Sequence, residues 1–330
     1  MSVIKLFDPS ARILVLGDVM LDGYASGRVD RISPEAPVPV LRHLSSREVP
    51  GGGANVAMNI AALGARPYLV GLVGEDDEAQ RLTRLLAEAG VETRFVSAPE
   101  RPTTFKLRIL ADNHQMLRID KEEVGAASVE IELKLLSAAI AVLSDVRSVI
   151  LSDYGKGCLT NRIISDVITE AARRGVPVFV DPKRSDFSVY AGATFITPNR
   201  SELQVATGIT CDDDESCRLA AVIAQEASGA SILLTRSEEG MTLFPTSGDV
   251  VTLPAEVKEV FDVSGAGDSV IATFTLGIVS GLAVPQALRA ANCAAGLVIS
   301  RTGTATITEA EIAEAMDREH LLSRSNVPLS

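Results

Sequence analysis

The segment from Asp262 to Asp268 reads DVSGAGD, with Gly265 and Gly267 flanking Ala266 just before a helical run. Backbone N–H groups at the start of a helix have no intrahelical acceptor, and the helix dipole adds partial positive charge there. The segment therefore predicts an anion cradle. An aspartate at its end could accept a proton from a nearby hydroxyl, as phosphoryl transfer requires. A plain helix cap by Asp268 would fit the same pattern.

A second segment, Pro50 to Gly64, reads PGGGANVAMNIAALG and combines three consecutive glycines with a helix. Glycines let the backbone approach a ligand closely. Asn55 would stand at the start of this helix, where its amide can both donate to and accept from sugar hydroxyls. A flexible loop with an asparagine cap would also fit these residues.

The elements that must position these residues alternate between strands and helices. Buried strands are predicted over residues 12–17, 68–73, 149–152, 178–180, 195–197 and 232–235. Helices are predicted over residues 54–63, 75–89, 161–173 and 213–227. The alternation is typical of right-handed crossover units and predicts an α/β fold with a mostly parallel sheet between helical layers. Ligands of such sheets bind beyond the carboxyl ends of the strands, where both segments above are expected.

Two β-rich segments break the alternation, one at Pro37 to Leu44 and the other at Thr103 to Asp120. The second contains two alternating runs joined at Asp112-Asn113, which is a hairpin signal. A small sheet standing off the main body would explain both segments, and it could cover a site as a lid. Two ordinary edge strands would explain them equally well.

Composition and charge exclude several classes of protein. The 330 residues are 46% hydrophobic and 22% charged, which is ordinary for a globular protein with a large core. No apolar run reaches the roughly 18 residues that span a bilayer, and residues 1–10 have no secretory pattern. We therefore expect a cytoplasmic protein without a membrane partner. The net charge of -12 disfavours nucleic acid as a partner.

Other known motifs are missing. The chain contains neither a Walker-type GxxxxGK[ST] sequence nor the set of protein-kinase motifs. Its four cysteines follow no zinc or redox spacing, and its three histidines are scattered. If the chain is a kinase, it belongs to another class.

Three motifs in order resemble those of the ribokinase-like (PfkB) carbohydrate kinases. They are the GG-containing segment with Asn55, the stretch Asn199-Arg200-Ser201-Glu202 and the late GAGD turn. The second is similar to the family's N-x-x-E element, which organises Mg²⁺ near the phosphates. The resemblance covers essentially the whole chain. It implies one kinase domain over residues 1–330, with a three-layer α/β/α ribokinase-like fold and lid strands within about residues 22–47 and 100–120. Val263-Ser264 departs from the usual pair of threonines.

Further segments resemble one subgroup, the D-glycero-β-D-manno-heptose 7-phosphate kinases. They are GDVMLD at 17–22, RISPEAPVPV at 31–40, SDYGKG at 152–157 and DPK at 181–183. This resemblance implies ATP-dependent phosphorylation of the anomeric C1 hydroxyl to give heptose 1,7-bisphosphate, on the route to ADP-heptose for lipopolysaccharide. Some members carry a nucleotidyltransferase half behind the kinase. Because no His-x-Gly-His motif is present, the resemblance is to the stand-alone kinase.

The resemblance also implies roles for individual residues. Asp268 would be the catalytic base, and the N–H donors to the transferring group would come from Gly265, Ala266 and Gly267. Asn199 and Glu202 would hold Mg²⁺ mainly through water, although Glu202 could simply be a first-turn helix charge. The expected sugar ligands are Asp18, Asp22, Gly52, Gly53 and Asn55. The expected neighbours of the adenine nucleotide are Thr235, Arg236, Gly240 and Asn292, with a solvated surface role as the alternative for Arg236.

A phosphorylated sugar also needs a cationic subsite. The candidate cations are Lys106, Arg108 and Arg118 on the lid strands and Lys156 and Lys183 on loops of the main body. The carboxylates expected in the same region are Asp120 and Asp153. Arginine suits a phosphate dianion through its fork of donors, whereas lysine acts as a point charge. Solvated lid residues, or a contact of Lys183 with the γ-phosphate, would fit equally well.

Partners and alternatives complete the expectations. Lids of this family often pair between subunits, which implies a homodimer through the lid. Some relatives are activated by a monovalent cation bound near the positions of Asp262 and residues 298–304. Alternative functions are the same chemistry on a fructose phosphate or nucleoside, a non-catalytic sugar-binding protein, and a dinucleotide oxidoreductase. Gly17-Asp18-Val19 stands where the oxidoreductase would need G-x-G-x-x-G.

Overall fold

A computed structural model of the chain describes residues 5–112, 114–255, 263–301 and 305–325, with side chains as far as residue 318. The strands of the main sheet are β1 (Arg12–Gly17), β4 (Arg66–Val73), β5 (Glu92–Ser97), β8 (Ser148–Ser152), β9 (Val178–Asp181), β10 (Phe195–Ile196), β11 (Ser231–Thr235), β12 (Met241–Phe244) and β13 (Val251–Leu253). A second sheet contains β2 (Val19–Ile32), β3 (Pro39–Gly52), β6 (Thr104–Ala111) and β7 (His114–Lys121).

The helices follow the strands in sequence and cover the main sheet. They are α1 (Gly53–Ala62), α2 (Asp77–Glu88), α3 (Val129–Val142), α4 (Asn161–Arg173), α5 (Arg200–Thr207), α6 (Asp214–Ser228), α7 (Ala266–Val279), α8 (Val284–Ile299) and α9 (Glu309–Ser325). The main sheet has the order β13-β12-β11-β10-β9-β8-β1-β4-β5. Its strands pair in parallel from β11 to β5, and β12 and β13 extend it antiparallel at one edge.

The core lies on both faces of the main sheet. Strand β1 is apolar throughout its interior, and its side chains alternate between the two faces. Ile13 and Val15 join the cluster formed with α1, α2, α7 and α8, whereas Leu14 and Leu16 join the cluster formed with α3, α4 and α6. A sheet buried on both faces in this way gives the three-layer α/β/α architecture that the sequence predicts.

The chain passes from the main sheet into the second sheet at Asp18 and returns at Gly52. Strand β2 begins at Val19, directly after β1, and β3 ends at Gly52, directly before α1. The second sheet has the order β3-β2-β6-β7. It is the small sheet predicted from the two β-rich segments, and we call it the lid sheet. Its strands extend a few residues beyond the predicted ranges because β2 and β3 pair along almost their whole lengths.

Most predicted elements agree with the structure to within a few residues, and β1 and α4 agree at both ends. Helix α7 begins at Ala266, so that Asp268 lies in its first turn. The hairpin position Asn113 and the cation position Asp262 lie outside the described residues, as does part of the segment 298–304. The four cysteines are all buried. No helix in the described part of the chain is long and apolar enough to cross a membrane.

Candidate active site

The carboxylate of Asp268 is buried, with 4% of the residue exposed, in the first turn of α7. Each of its oxygens accepts one hydrogen bond. The Tyr154 hydroxyl donates to Oδ1 over 2.7 Å, and the Asn55 side-chain amide donates to Oδ2 over 2.7 Å. Burial raises the pKa of Asp268 to about 6, the two hydrogen bonds oppose this rise, and the negative charge of Asp22 adds to it. A carboxylate with this pKa is ionised at neutral pH and basic enough to accept a proton.

A chain of buried amides ties this carboxylate to helix α1. The side-chain amide of Asn59, one turn beyond Asn55, donates to the Asn55 carbonyl at 2.9 Å and to the Asn55 side-chain oxygen at 3.3 Å. The Ser269 hydroxyl donates to the Asn59 side-chain oxygen at 3.0 Å. Asn55 was expected to contact a sugar; the structure shows its amide on Asp268. The contacts lock α1 and α7 together at the reacting end of the site.

The turn before α7 has the backbone shape that the glycines allow. Gly265 has a φ of 78°, in the left-handed region that favours glycine, and it forms the N-cap of α7. The Ala266 N–H donates to the Val263 carbonyl at 3.3 Å, so this predicted donor is engaged in the turn itself. Gly267 follows within the first turn, where N–H groups lack helical acceptors. The role of all three as donors to a phosphoryl group stays a prediction.

Asp18 anchors the loop that carries Tyr154. Its buried carboxylate accepts hydrogen bonds from the backbone N–H groups of Tyr154, Lys156 and Cys158, each at 2.9 Å. Burial raises its pKa, and the three backbone hydrogen bonds oppose this rise. The carboxylate predicted to bind sugar hydroxyls is thus engaged in shaping the loop beside Asp268.

The glycine segment fits tightly around Asp18. Gly52 has a φ of 59°, and a Cβ there would lie 2.6 Å from the Asp18 carbonyl oxygen. At Gly53 a Cβ would lie 3.4 Å from the same oxygen, which the Gly53 N–H also approaches as a donor at 2.9 Å. The glycines therefore permit the close crossing of two backbones at the point where the chain enters and leaves the lid sheet.

Two adjoining cavities lie at the carboxyl ends of the main-sheet strands, and they share Asn199 and Thr235. The smaller, of about 160 Å³, is lined by Asp153, Tyr154, Asp181, Pro182, Lys183, Thr197, Asn199, Glu202 and Thr235. The larger, of about 380 Å³, includes Asn199, Thr235, Gly240, Met241, Val263, Ala266, Gly267, Val270, Asn292 and Ile299 in its lining. The larger volume is in the range of small-molecule pockets, and it extends to the turn before α7.

Asn199 and Glu202 form a capping box at the start of α5. The Asn199 side-chain oxygen accepts from the Glu202 N–H at 2.9 Å, and the Glu202 carboxylate accepts from the Asn199 N–H at 3.0 Å. The other Glu202 oxygen lies 3.4 Å from the Lys183 Nζ atom. Glu202 therefore does take part in capping helix α5, in line with the alternative expected for it. The capping box uses one of its carboxylate oxygens, and Glu202 also lines the smaller cavity.

The smaller cavity fits a hydrated divalent cation. Asp181 is half-buried there, and its pKa is raised well above the usual value by burial and by the charges of Asp268 and Glu202. Carboxylate and amide oxygens suit Mg²⁺, which usually keeps several of its waters. Among the described residues, no three His, Cys, Asp or Glu side chains are grouped closely enough to hold a metal directly.

Some of the residues predicted to contact the nucleotide line the larger cavity, and one of them supports the loop beside it. Asn292 lines the cavity and donates to the Pro254 carbonyl at 2.9 Å. Gly240 lines it with a φ of 90°, at a place where a Cβ would lie 2.1 Å from the Leu253 carbonyl oxygen. Arg236 is absent from the lining. It is buried, and its guanidinium pairs with Asp214 and Glu239, each at 2.5 Å. It supports the loop rather than lying on a solvated surface.

The candidate sugar residues on the lid sheet are largely paired with each other. Arg108 and the buried Asp22 form an ion pair of 2.6 Å, and Arg108 also lies 5.3 Å from the centre of the Tyr24 ring. Arg118 and Asp120 pair on β7, where the two guanidinium nitrogens lie 2.8 and 2.9 Å from the two carboxylate oxygens.

The loop candidates are paired as well. Lys156 lies 2.7 Å from Glu122. Asp153 is buried and accepts from Arg184 at 2.7 Å and from the Tyr190 hydroxyl at 2.9 Å. Asp153 therefore has a structural role at the base of the smaller cavity. The binding roles predicted for these residues stay predictions.

The sequence analysis assigned no individual role to three residues of the site: Tyr154, Asn59 and Asp181. Tyr154 and Asp181 belong to the SDYGKG and DPK segments, so their position after a strand was a usable signal. Asn59 is a polar residue within the otherwise apolar helix α1, and such a residue signals a buried hydrogen-bonding role.

Comparison with known proteins places this geometry in a family. Residues 10–311 match the model of the pfkB family carbohydrate kinase. The chain is 49% identical over 324 residues to the bifunctional protein HldE of Granulibacter bethesdensis, covering 96% of this chain and 67% of that protein. It is 46% identical over 310 residues to the bifunctional protein HldE of Azorhizobium caulinodans, covering 93% and 65%. The chain thus spans about two thirds of the length of these relatives.

Solved structures show the same fold at lower identity. The ribokinase of Arabidopsis thaliana, complexed with ribose and ATP, superimposes with a TM-score of 0.75 at 20% identity, covering 93% of this chain and 99% of that one. Phosphofructokinase-2 of Escherichia coli, in complex with fructose-6-phosphate, gives 0.76 at 19%, covering 94% and 99%. With the family match over residues 10–311, these findings show that the chain belongs to the PfkB family of carbohydrate kinases and is a sugar kinase.

Proposed function

We propose that this sugar kinase uses ATP to phosphorylate the anomeric C1 hydroxyl of D-glycero-β-D-manno-heptose 7-phosphate, giving heptose 1,7-bisphosphate for ADP-heptose and lipopolysaccharide synthesis. The observation that carries the chemistry is the buried Asp268 carboxylate, with a pKa of about 6, at the N-terminus of α7. It follows Gly267, which lines the larger cavity, and accepts a hydrogen bond from Tyr154, which lines the smaller one. The heptose assignment is supported by the resemblance of four segments to that subgroup and by the 49% identity to a protein named HldE.

In the proposed reaction, Asp268 accepts the proton of the sugar hydroxyl as the hydroxyl oxygen bonds to the γ-phosphorus of ATP, while the bond from that phosphorus to the β,γ-bridging oxygen breaks and ADP leaves. The carboxylate has four lone-pair directions, and Tyr154 and Asn55 occupy two of them. A substrate hydroxyl can therefore donate to Asp268 while both protein donors stay in place. The N–H groups at the start of α7 stabilise the negative charge of the transferring group.

The nucleotide lies with its base in the larger cavity and its phosphates toward the smaller one. Asn199, Glu202 and Asp181 would hold Mg²⁺ there, largely through water, and the ion would neutralise charge on the phosphates. Lys183 lies at the same cavity and supplies a further positive charge. The support for this arrangement is that Asn199 and Thr235 border both cavities.

We further propose one domain over residues 1–330 and a homodimer through the lid sheet. The lid sheet exposes large apolar side chains that a second subunit could cover. They include Ile32, Leu44, Met116, Leu117 and Ile119, each between 50% and 61% exposed. Large exposed apolar residues gathered on one element mark an interaction surface.

The test is ADP release by purified protein with Mg-ATP and the heptose 7-phosphate, beside fructose 6-phosphate, ribose and adenosine. Turnover with the heptose phosphate alone, with a ³¹P signal of an anomeric phosphate in the product, is the expected result. Asp268→Asn should lower kcat by about 10²–10⁴-fold. Turnover only with another sugar would overturn the heptose assignment, and a product phosphorylated elsewhere would overturn the C1 assignment.

A further inference from the structure

The lid sheet presents one polar face on which three charged residues stand in a row. Directly opposite residues of neighbouring strands carry their side chains on the same face. Asp22 on β2 is opposite Lys106 on β6, and Lys106 is opposite Asp120 on β7. Arg108 and Arg118 are the next opposite pair on this face, two residues along each strand. The row places Lys106 at the centre of a strip of charge.

Asp22, in this row, connects the polar face of the lid sheet with the site around Asp268. A Cβ on Gly51 would lie 2.2 Å from the Asp22 Oδ2 atom, so Asp22 lies against the glycine segment. The charge of Asp22 also acts on Asp268 and on Tyr154, raising the pKa of both groups. Lys106 is directly opposite Asp22 on the neighbouring strand, so it lies on the same face as the carboxylate whose charge acts on Asp268.

Among the cations of this region, Lys106 differs in having no partner. The other three are each paired with one carboxylate: Arg108 with Asp22 at 2.6 Å, Arg118 with Asp120 at 2.8 Å and Lys156 with Glu122 at 2.7 Å. Lys106 makes no hydrogen bond or ion pair with any residue in the described ranges. Three of these four cations are thus matched by a carboxylate partner, and Lys106, on the central strand of the row, is the one that is not.

Lys106 is also half-buried, which makes an unpaired ammonium costly. Burial lowers its pKa; the charge of Asp22 opposes this shift, and the charge of Lys156 adds to it. A bound anion would offset the cost of desolvation. A phosphate dianion suits the position because its negative charge would also be attracted by the nearby Lys156, Arg108 and Arg118.

We infer that Lys106 binds the phosphate group of the sugar substrate, at the end of the sugar opposite the hydroxyl that Asp268 deprotonates. This inference rests on the proposed function, and it singles out one cation among the five candidates. The substrate class that it implies is a sugar phosphomonoester long enough to reach from Asp268 to the middle of β6. Arg108 and Arg118, held by their own carboxylates, shape the subsite around Lys106.

The test compares steady-state kinetics of the full chain and of Lys106→Met, which keeps the length of the side chain but removes the charge. The substrates are the heptose 7-phosphate and the same heptose without phosphate. A lost charge-assisted hydrogen bond should raise KM for the phosphorylated sugar by about 10- to 100-fold, with kcat changed less than about threefold. Kinetics with the unphosphorylated sugar should stay unchanged, and Lys106→Arg should recover most of the loss.

Lys121→Met is the matched control, because Lys121 lies on the neighbouring strand, is opposite Phe105 on the other face and pairs with Glu78 at 2.9 Å. It should leave KM unchanged. An unchanged KM in Lys106→Met, or an equal loss for both sugars, would overturn the inference while leaving the proposed function intact. If the wild type accepts only unphosphorylated sugars, the proposed function and this inference fail together.

Discussion

The Asp268 carboxylate is held by two neutral donors, the Tyr154 hydroxyl and the Asn55 amide, each at 2.7 Å. A cation in place of either donor would lower the pKa of the carboxylate and weaken it as a base. Neutral donors fix its orientation, while burial keeps its pKa at about 6. The site thus combines a fixed geometry with a carboxylate that is ionised at neutral pH and still able to accept a proton.

Removing the Tyr154 hydroxyl should shift the pH profile. The proposed base must be ionised, so kcat/KM should fall as the pH drops below about 6. In Tyr154→Phe the ionised carboxylate loses a donor, its pKa rises, and the acid limb of the profile should move up by about one pH unit. Above pH 8 the variant should approach its own plateau. The measurement is kcat/KM between pH 5 and 9.

The matched control for this prediction is Tyr190→Phe, which removes a buried hydroxyl that donates to Asp153 at 2.9 Å instead of to Asp268. It should lower stability without moving the acid limb. An acid limb that stays in place in Tyr154→Phe would show that the titrating group is not Asp268 or that the hydroxyl does not stabilise its charge.

Local sequence pattern identifies some residues of this site and misses others for a physical reason. Asp268 and the glycines at 52 and 265 stand out because their function lies in a short turn or a backbone crossing. The contact of Tyr154 with Asp268 spans 114 residues, and that of Asn59 with Ser269 spans 210. Such contacts depend on how helices and loops meet over the sheet, and no local pattern encodes that.

At the scale of elements, helices α1 and α7 are joined by polar contacts inside an otherwise apolar interface. The Ser269 hydroxyl donates to Asn59, and the Asn59 amide donates to the Asn55 carbonyl. All three residues are buried, so each lost partner leaves a polar atom without compensation. The element contact therefore positions Asn55 on the base.

Asn59→Ala and Ser269→Ala should each destabilise the fold by about 1–3 kcal/mol. Their effects should be less than additive in the double variant, because both remove the same hydrogen bond. Asn59→Ala should also lower kcat several-fold, since Asn55 loses its support. Urea denaturation of the four proteins measures the coupling. Additive effects would indicate that the hydrogen bond does not connect the helices energetically.

The junction of β3 and α1 should not tolerate a side chain at Gly52. Its φ of 59° is strained for other residues, and a Cβ would lie 2.6 Å from the Asp18 carbonyl oxygen. We expect Gly52→Ala to lower the free energy of unfolding by more than about 2 kcal/mol and to abolish most activity. Thermal denaturation and the kinase assay measure both effects.

Gly64→Ala separates backbone strain from the steric clash at this junction. Gly64 has a φ of 89°, but a Cβ there meets no atom within 4 Å. Its substitution should cost only the strain of the left-handed backbone, about 1–2 kcal/mol, with activity retained. Equal losses in the two variants would mean that the close approach to Asp18 contributes nothing.

The sequence predicts the helices and strands better than it predicts the contacts between them. Helix α4 has apolar residues on one side and a threonine cap, and its predicted bounds match the structure. Helices α3 and α8 were not predicted. Both carry apolar residues on several sides, which weakens the periodic pattern that reveals a surface helix. Helix α8 is buried along most of its length, whereas α3 exposes Val129 and Leu133.

At the scale of the whole molecule, the lid sheet carries several of the large apolar side chains that the single chain leaves exposed. Leu117 and Ile119 on β7 are 57% and 50% exposed, and they alternate with Arg118 on the opposite face. One face of the lid sheet thus carries the charged residues proposed to contact the substrate, and the other face exposes apolar side chains. Pairing two lids would bury that area without covering Lys106 or Arg108.

Charging this apolar face should separate the proposed dimer. The wild type should sediment at twice the chain mass of 34.8 kDa, and Leu117→Lys/Ile119→Lys at the chain mass itself, because buried lysines would lack partners. Val205→Lys/Leu219→Lys is the matched control, since both positions are exposed apolar residues on α5 and α6 of the main body. The control should remain dimeric. A wild type that sediments as a single chain would exclude the dimer, whereas a dimer that survives the lid substitutions would place the interface elsewhere.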